Sequence, residues 1–442
     1  MNVLELYHHR PKGSMAIAEV VEAAVKDGRV SRGELLPPVR TLANVLGVSP
    51  ATVSAAYGRL KLRGVVVTDG RRGTRVTSSP PLAHPFAPIV PPGVRDLASG
   101  NPDPALLPDL GAALSEMPYE PILYGHGSQD GRLIQLVKEC FEADGIRGDA
   151  IAMVGGALDG IERVLRVHLA PGDRVGLEDP GWRSLYHLIA SLNLIPVPIA
   201  VDDDGILPDA LHRSAASGLN ALIATPRAQN PTGAAFGRKR AAELERIVQP
   251  HAGLLLIEDD HAGPVSGSAY ESMVGEGRET WAVVRSVSKS FGPDLRVAVM
   301  AGDAATIARV QVRQLLGPGW ISHILQRTVA QIWSDPATSP LVDRATKTYE
   351  ARRRALIEAL RRRSIQARGK TGLNVWIEVR EEAAVVAALL ARNWAVAAGQ
   401  EFRMTSEPAI RVTISTLRSD EAEAFAQDLE AVTTLRVRVP VA

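Results

Sequence analysis

From residue 151 to residue 301 the chain alternates short, almost wholly apolar runs with longer amphipathic stretches. The runs 151–154, 174–178, 195–197, 221–224, 254–257, 282–287 and 297–301 each stop at turn or polar residues, as strands buried on both faces do. Stretches 158–169 and 238–248 carry apolar residues at helical spacing between them. Strand, helix, strand in this order predicts an α/β body with a mostly parallel sheet covered on both faces, and ligands in such sheets bind beyond the carboxyl ends of the strands. After Trp320 the pattern changes to long charged helices, including 344–363, followed by strand patterns at 374–379 and 410–416. These predict a second, smaller α+β part.

The first 77 residues follow a different rhythm. Leu36-Pro37-Pro38-Val39-Arg40-Thr41-Leu42-Ala43 opens a helix with proline at its entry, where a missing N–H costs nothing. Gly47-Val48-Ser49 then makes a turn, Ser49 is placed to cap a second helix, and Val53, Tyr57 and Leu60 recur on one face of it. A helix-turn-helix follows, with Thr52, Ser54 and Arg59 off the apolar face, where a recognition helix meets the major groove. Stretches 64–68 and 74–76 pair as a hairpin around 69–73, a wing with Arg71 and Arg72 at its tip, suited to phosphates or a narrow minor groove. Residues 78–95 hold Pro80, Pro81, Pro85, Pro88, Pro91 and Pro92 and read as a semi-stiff linker.

Composition sharpens this division. The chain has 442 residues, which at about 150 per domain suggests roughly three structural units. Its 45% hydrophobic and 22% charged residues exclude disordered and fibrous classes, and the lone Cys140 excludes an internal disulfide. Net charge is only +1, yet residues 1–78 carry 12 basic against 6 acidic side chains and the rest 38 against 43. A basic head on a mildly acidic body points to a polyanion as partner of the head. No apolar run reaches the roughly 20 residues that span a bilayer, and the best stretch, 383–399, is interrupted by Arg392 and Asn393. Residues 1–10 lack an apolar signal core, so a cytoplasmic location is expected. His8, His9 and His251 have no metal-ligand spacing, and no metal site is expected.

The strand ends of the body carry the chemistry. Ser286-Val287-Ser288-Lys289 closes an apolar run and Arg296 follows. A partly desolvated lysine is a nucleophile fit for a Schiff base, and two hydroxyls with an arginine fork grip a phosphate. Asp259 can pair with a protonated ring nitrogen, Asn230 can donate to a ring oxygen, and Trp182 can stack on a ring face. Gly155-Gly156-Ala157, between a strand and a helix start, offers N–H groups to a phosphate. Each has a plainer reading: Asp259 as a helix cap, Trp182 as core, Asn230-Pro231 as a turn. Together, in this order, they point to a pyridine-aldehyde-phosphate cofactor.

The head, from Asp27-Gly28-Arg29 through Leu36-Pro37, Arg40, Leu46-Gly47-Val48-Ser49, Thr52-Val53, Tyr57 and Gly64, resembles the GntR-type winged-helix domain. That likeness implies DNA contacts from Arg40, Thr52, Ser54 and the wing residues Arg71 and Arg72. From about residue 96 onward the chain resembles the fold-type I aminotransferases of class I. The motifs are Gly100-Asn101-Pro102-Asp103-Pro104, Tyr124-Gly125, Pro171-Gly172-Asp173, Asn230-Pro231-Thr232-Gly233, Glu258-Asp259-Asp260, Ser286-x-Ser288-Lys289 with Arg296, and Arg411. The likeness implies that Lys289 forms the internal aldimine with pyridoxal 5'-phosphate. It also implies cofactor contacts from Asp259, Asn230, Trp182, Gly156, Ala157, Ser286, Ser288, Arg296 and His261, and from Tyr124 to the phosphate of a neighbouring subunit. Arg411, with Gly100 nearby, is implied to hold an effector carboxylate. A GntR head on such a body resembles the MocR-type transcriptional regulators. His261 stands where that family usually has tyrosine, and its imidazole is expected to donate to the cofactor oxygen or to add charge below about pH 6.5. Gly155-Gly156-Ala157 replaces hydroxyl-bearing residues of the phosphate loop.

The resulting expectation is a winged-helix DNA-binding domain over residues 1–77, a linker over 78–95, and an aminotransferase-like effector domain over 96–442, its large part about 120–320 and its small part about 321–442. The expected protein is a homodimer that binds an operator in double-stranded DNA and senses a small amino compound by aldimine exchange at Lys289. A working aminotransferase with an incidental head, and a DNA-binding protein whose body holds no cofactor, are the alternatives.

Overall fold

The computed structural model describes Tyr7 and residues 11–31, 33–62, 65–68, 73–76, 90–118, 120–146 and 150–434. The chain divides into two compact units, the second holding Pro88–Ile189 and Leu194–Ala442.

In the first unit, helices α1 (Ser14–Lys26), α2 (Val39–Leu46) and α3 (Pro50–Leu62) precede a hairpin of β1 (Val66–Thr68) and β2 (Thr74–Val76). Gly47 ends α2 at φ 68°, a left-handed conformation that a Cβ would oppose, and the turn follows from it. The Ser49 hydroxyl accepts from the Thr52 N–H at 3.2 Å and so caps α3. Ile17, Val21, Leu42, Leu46, Val53, Leu60, Val66 and Val76 form the core. The Tyr57 hydroxyl donates to the Pro37 carbonyl at 2.7 Å, tying α3 to the entry of α2. Val66 faces Val76 and Thr68 faces Thr74 across the hairpin. Arg71, Arg72, residue 77 of the expected head and residues 78–89 of the expected linker lie outside the described residues.

The second unit begins with β3 (Arg95–Leu97). An eight-stranded sheet follows, made of β4 (Ala150–Val154), β5 (Arg174–Asp179), β6 (Ile195–Asp202), β7 (Gly205–Ile206), β8 (Ala221–Ala224), β9 (Leu255–Asp260), β10 (Trp281–Ser286) and β11 (Ala298–Gly302). Their order is β4-β11-β10-β9-β8-β5-β6-β7. The pairs β10–β9, β9–β8, β8–β5 and β5–β6 are parallel, while β11 is antiparallel to both neighbours. The reversal has a simple cause. The connection from β10 to β11 holds only a short 3-10 turn, Pro293–Leu295, whereas a parallel return needs a crossover of a dozen or more residues. Parallel pairing brings the carboxyl ends of β5, β8, β9 and β10 side by side.

A second sheet has the order β12-β13-β15-β14-β3, with β12 (Ala367–Arg368), β13 (Asn374–Glu378), β14 (Trp394–Ala398) and β15 (Ala409–Thr413). Thus Arg95, expected as the last linker residue, is the first residue of a strand that pairs with β14 some 300 residues later. The 383–399 stretch is the helix Glu382–Leu390 and β14, separated by Asn393 at φ 65°. Among the described residues no helix is long and apolar enough to cross a membrane.

Candidate functional site

The helix Ala157–His168 starts where β4 ends, and its first N–H groups have no partners within the helix. Gly156, its N-cap, has φ 106°, and a Cβ there would lie 2.6 Å from a guanidinium nitrogen of Arg296. Glycine at 156 is set by the backbone, and a side chain there would also make the Arg296 fork move aside. Arg296 is itself left-handed, φ 49°, and donates to the Gly155 carbonyl at 3.1 Å. Asp159 accepts from the Gly155 N–H at 2.8 Å and pairs with Arg163 at 2.8 Å, which offsets its charge at this helix end. The Ser286 hydroxyl donates to that of Ser288 at 3.0 Å just past β10.

Lys289 lies three residues beyond β10 and its Nζ donates to the Gly100 carbonyl at 2.7 Å. Loss of water, followed by the charge of Arg411, lowers its pKa to about 8, so a deprotonated fraction is present at neutral pH. Asp259 is almost fully buried on β9, and its Oδ1 has no hydrogen-bond partner. Burial above all, then the charges of Asp260 and Glu178, push its carboxyl up to about 8. Asp260 points to the other face and differs sharply. Arg227 grips it at 2.9 and 2.8 Å and Arg285 at 2.6 Å, and these cations, overriding its burial, hold it well below the usual carboxylate range.

Asn230 and Arg411 meet: a guanidinium nitrogen donates to the Asn230 Oδ1 at 3.1 Å, another donates to the Ala98 carbonyl, and the fork lies 4.5 Å over the Phe402 ring. Arg411 is buried, which lowers its pKa to about 10. Trp182 follows β5 and is partly buried; the Gly181 N–H beside it donates to the Phe402 carbonyl at 2.7 Å. Tyr124 stands apart, 92% exposed, with its ring edge-on to Trp320 at 5.6 Å.

His261 departs from the expectation for it. Its Nε2 lies 2.9 Å from the Ala228 carbonyl, which can only accept, so Nε2 carries the proton and Nδ1 is left as an acceptor. Burial, then the Lys289 charge, lowers its pKa to about 4. The positive charge expected below about pH 6.5 is therefore displaced to acid solution, and Nε2–H is already committed.

In the head, Arg40 and Ser54 are exposed, whereas the Thr52 hydroxyl lies 2.9 Å from that of Ser49 and is occupied in the cap. Several residues that shape the site carried no sequence signal. Arg227 and Arg285 are distant in sequence, Arg227 just past the 221–224 run and Arg285 inside the 282–287 run. Asp179 accepts from the Met404, Thr405 and Ser406 N–H groups at 2.9, 2.7 and 3.1 Å, fastening the segment after the short helix Gly399–Glu401 to the end of β5.

Residues 97–429 match the aminotransferase class I and II family and residues 14–76 match the gntR family of bacterial regulatory proteins. A gntR helix-turn-helix domain joined to a fold-type I aminotransferase fold defines a DNA-binding regulator of transcription. The chain belongs to the MocR-type regulators of the GntR family. It is 35% identical over 426 residues to the vitamin B6 salvage pathway transcriptional repressor PtsJ of Salmonella typhimurium, covering 95% of this chain and 98% of that one. It is 31% identical over 261 residues to the HTH-type pyridoxine biosynthesis transcriptional regulator PdxR of Corynebacterium glutamicum, 55% of each chain. The fold matches a kynurenine aminotransferase of Pyrococcus horikoshii with a TM-score of 0.71 at 20% identity, covering 78% of this chain and 92% of that one.

Proposed function

We propose that the second unit binds pyridoxal 5'-phosphate at Lys289 and that the protein reads a small amino compound there, changing how its heads hold an operator. When bound, that cofactor supplies an aldehyde that condenses reversibly with primary amines and a pyridine ring that draws electrons when protonated. The observation that carries the reading is the buried Asp259 Oδ1 without a partner. A buried acceptor left unpaired is costly, and a protonated ring nitrogen is the cation it suits.

The other residues fit the same group. The open helix start at Gly156 and Ala157, the Arg296 fork and the Ser286 and Ser288 hydroxyls suit a phosphate. Lys289, with its lowered pKa, offers the nucleophilic amine. Asn230 and Trp182 suit the ring, and His261, as an acceptor, can take a proton but does not give one from Nδ1. Arg411 suits a carboxylate on the amino compound, with Gly100 allowing its approach. Tyr124, Leu123, Leu315 and Leu316 are exposed apolar groups suited to a second copy of the chain, so that Tyr124 completes the partner's phosphate site. The head, residues 1–77, meets DNA through Arg40, Ser54, the start of α3 at Thr52, and Arg71 and Arg72.

A second reading makes the cofactor itself the signal. It is favoured by the names of PtsJ and PdxR, which refer to vitamin B6 salvage and pyridoxine biosynthesis. One experiment separates the two: the cofactor-free dimer is titrated with pyridoxal 5'-phosphate and then with a panel of amino compounds, while visible absorbance and affinity for upstream DNA are followed. A change in DNA affinity on adding the cofactor alone supports the second reading, and a change only with the amino compound supports the first. Turnover with an oxo acid makes the protein an aminotransferase, and no absorbance at any concentration overturns both.

A further inference from the structure

Two cations of the site, the half-buried Lys289 and the buried Arg411, are held by backbone carbonyls of one short segment rather than by carboxylates. Lys289 Nζ donates to the Gly100 carbonyl at 2.7 Å and Arg411 donates to the Ala98 carbonyl. Gly100 has φ 73°, and a Cβ there would lie 3.3 Å from the Arg411 guanidinium, so the close approach depends on glycine. Side chains hold the segment as well, Leu97 being fully buried and Ala98 nearly so. The Asp96 side chain accepts from the Ala98 and Ser99 N–H groups at 2.9 and 3.0 Å. Just before it lies β3, an edge strand of three residues paired only with β14. Along the chain, this is the first described strand reached from the head.

From these contacts we infer that residues 98–101 form a clamp that ligand releases, and that its release weakens the pairing of β3. The inference rests on the ligand site proposed above. An amine committed to a carbonyl compound gives up donor hydrogens, and a guanidinium that meets a carboxylate turns its fork toward the stronger acceptor. Either event strips the Gly100 or Ala98 carbonyl of its donor, and a buried carbonyl without a donor is driven to rearrange toward water. The two carbonyls then let go of the site, and β3, an edge strand of only three residues, loses part of the support that keeps it paired.

Arg95 makes the release measurable. Its guanidinium donates to the Thr416 carbonyl at 2.6 Å and pairs with Glu421 at 2.7 Å, while its N–H donates to the Asn393 carbonyl at 2.9 Å. No other lysine or arginine occurs between residues 76 and 131, so trypsin cleavage in this stretch reports on that bond alone. The experiment uses the full-length protein with pyridoxal 5'-phosphate as probe, following cleavage after Arg95 by mass spectrometry and cofactor binding by absorbance. Saturating cofactor should raise the cleavage rate by about tenfold, the worth of one charge-assisted hydrogen bond. Lys289→Ala should be cut at the raised rate without cofactor, and Lys289→Gln, which keeps a donor, should be cut as slowly as the cofactor-free wild type.

Cleavage that is unchanged or slowed when the absorbance shows cofactor bound would overturn the clamp and leave the proposed function standing. If no absorbance develops, the proposed function fails. The comparison of wild type, Lys289→Ala and Lys289→Gln then still decides the clamp, since equal rates in all three exclude it.

Discussion

Replacing Asp259 with asparagine should make the cofactor-free protein more stable at neutral pH while removing its hold on the cofactor. The carboxyl is pushed from its ordinary 3.8 up to about 8 by burial and by two neighbouring carboxylates. A group whose folded pKa lies above its unfolded one stabilises the fold fully below the lower value, and that stabilisation is lost as pH rises to the upper one. At about 1.4 kcal/mol per pH unit, the loss accumulated between 3.8 and 7 is about 4 kcal/mol. An asparagine removes this cost but leaves an amide without a partner, worth about 1–3 kcal/mol, so the net gain at pH 7 is about 1–3 kcal/mol. All six tryptophans lie beyond residue 180, so their fluorescence during urea unfolding reports on the second unit alone. With an m-value of about 3 kcal/mol per M, the midpoint should rise by about 0.3–1 M. The pH signature is more specific than the midpoint. From pH 5 to 8 the wild type should lose stability relative to the variant, and saturating cofactor should restore the wild type only. Parallel pH curves for the two proteins, or a variant less stable at pH 7, would refute the assignment of Asp259 as an unpaired buried acid.

Lys289→Ala should abolish the visible absorbance of bound cofactor and with it any change of DNA affinity on adding the cofactor or an amine, while the variant still binds DNA because the head folds around its own core. Arg40→Ala should weaken DNA binding at every sequence tested and reduce the slope of log affinity against log salt by about one, the mark of a lost phosphate contact. His261, whose pKa falls from the ordinary 6.5 to about 4, stabilises the fold above 6.5, and that contribution fades as pH falls toward 4. The spectrum of the loaded protein should therefore show no step near pH 6.5 that His261→Asn removes, while acid unfolding of that variant should begin at lower pH than in the wild type.

The large sheet was readable because strands buried on both faces are apolar nearly throughout, as 221–224 and 254–257 are. The direction of β11 was not, since it depends on the length of a connection that held no periodic signal. β3 escaped for a related reason: three residues, Arg95-Asp96-Leu97, acquire a strand conformation only from β14, far along the chain. Within the site, Lys289, Asp259 and Asn230 were visible because reactive residues at strand ends stand out against apolar runs. Arg227, Arg285 and Asp179 were not, because their partners come from other strands and loops and no spacing records the pairing. The orientation of His261 could not be read either, since a single carbonyl, that of Ala228, selects its tautomer.

Gly156 and Arg296 have a consequence for how such a site can be altered. A side chain at 156 and the present position of the Arg296 fork exclude each other. A hydroxyl introduced at 156 alone meets the guanidinium before it reaches any ligand, so a change that adds a donor subtracts one. The same hydroxyl introduced after Arg296 has been shortened has room beside the fork, though it still bears the strain of φ 106°. The two positions are thus coupled in mutational order. A library that pairs a side chain at 156 with a shorter residue in place of Arg296 therefore samples phosphate loops that a change at 156 alone reaches only by displacing the fork.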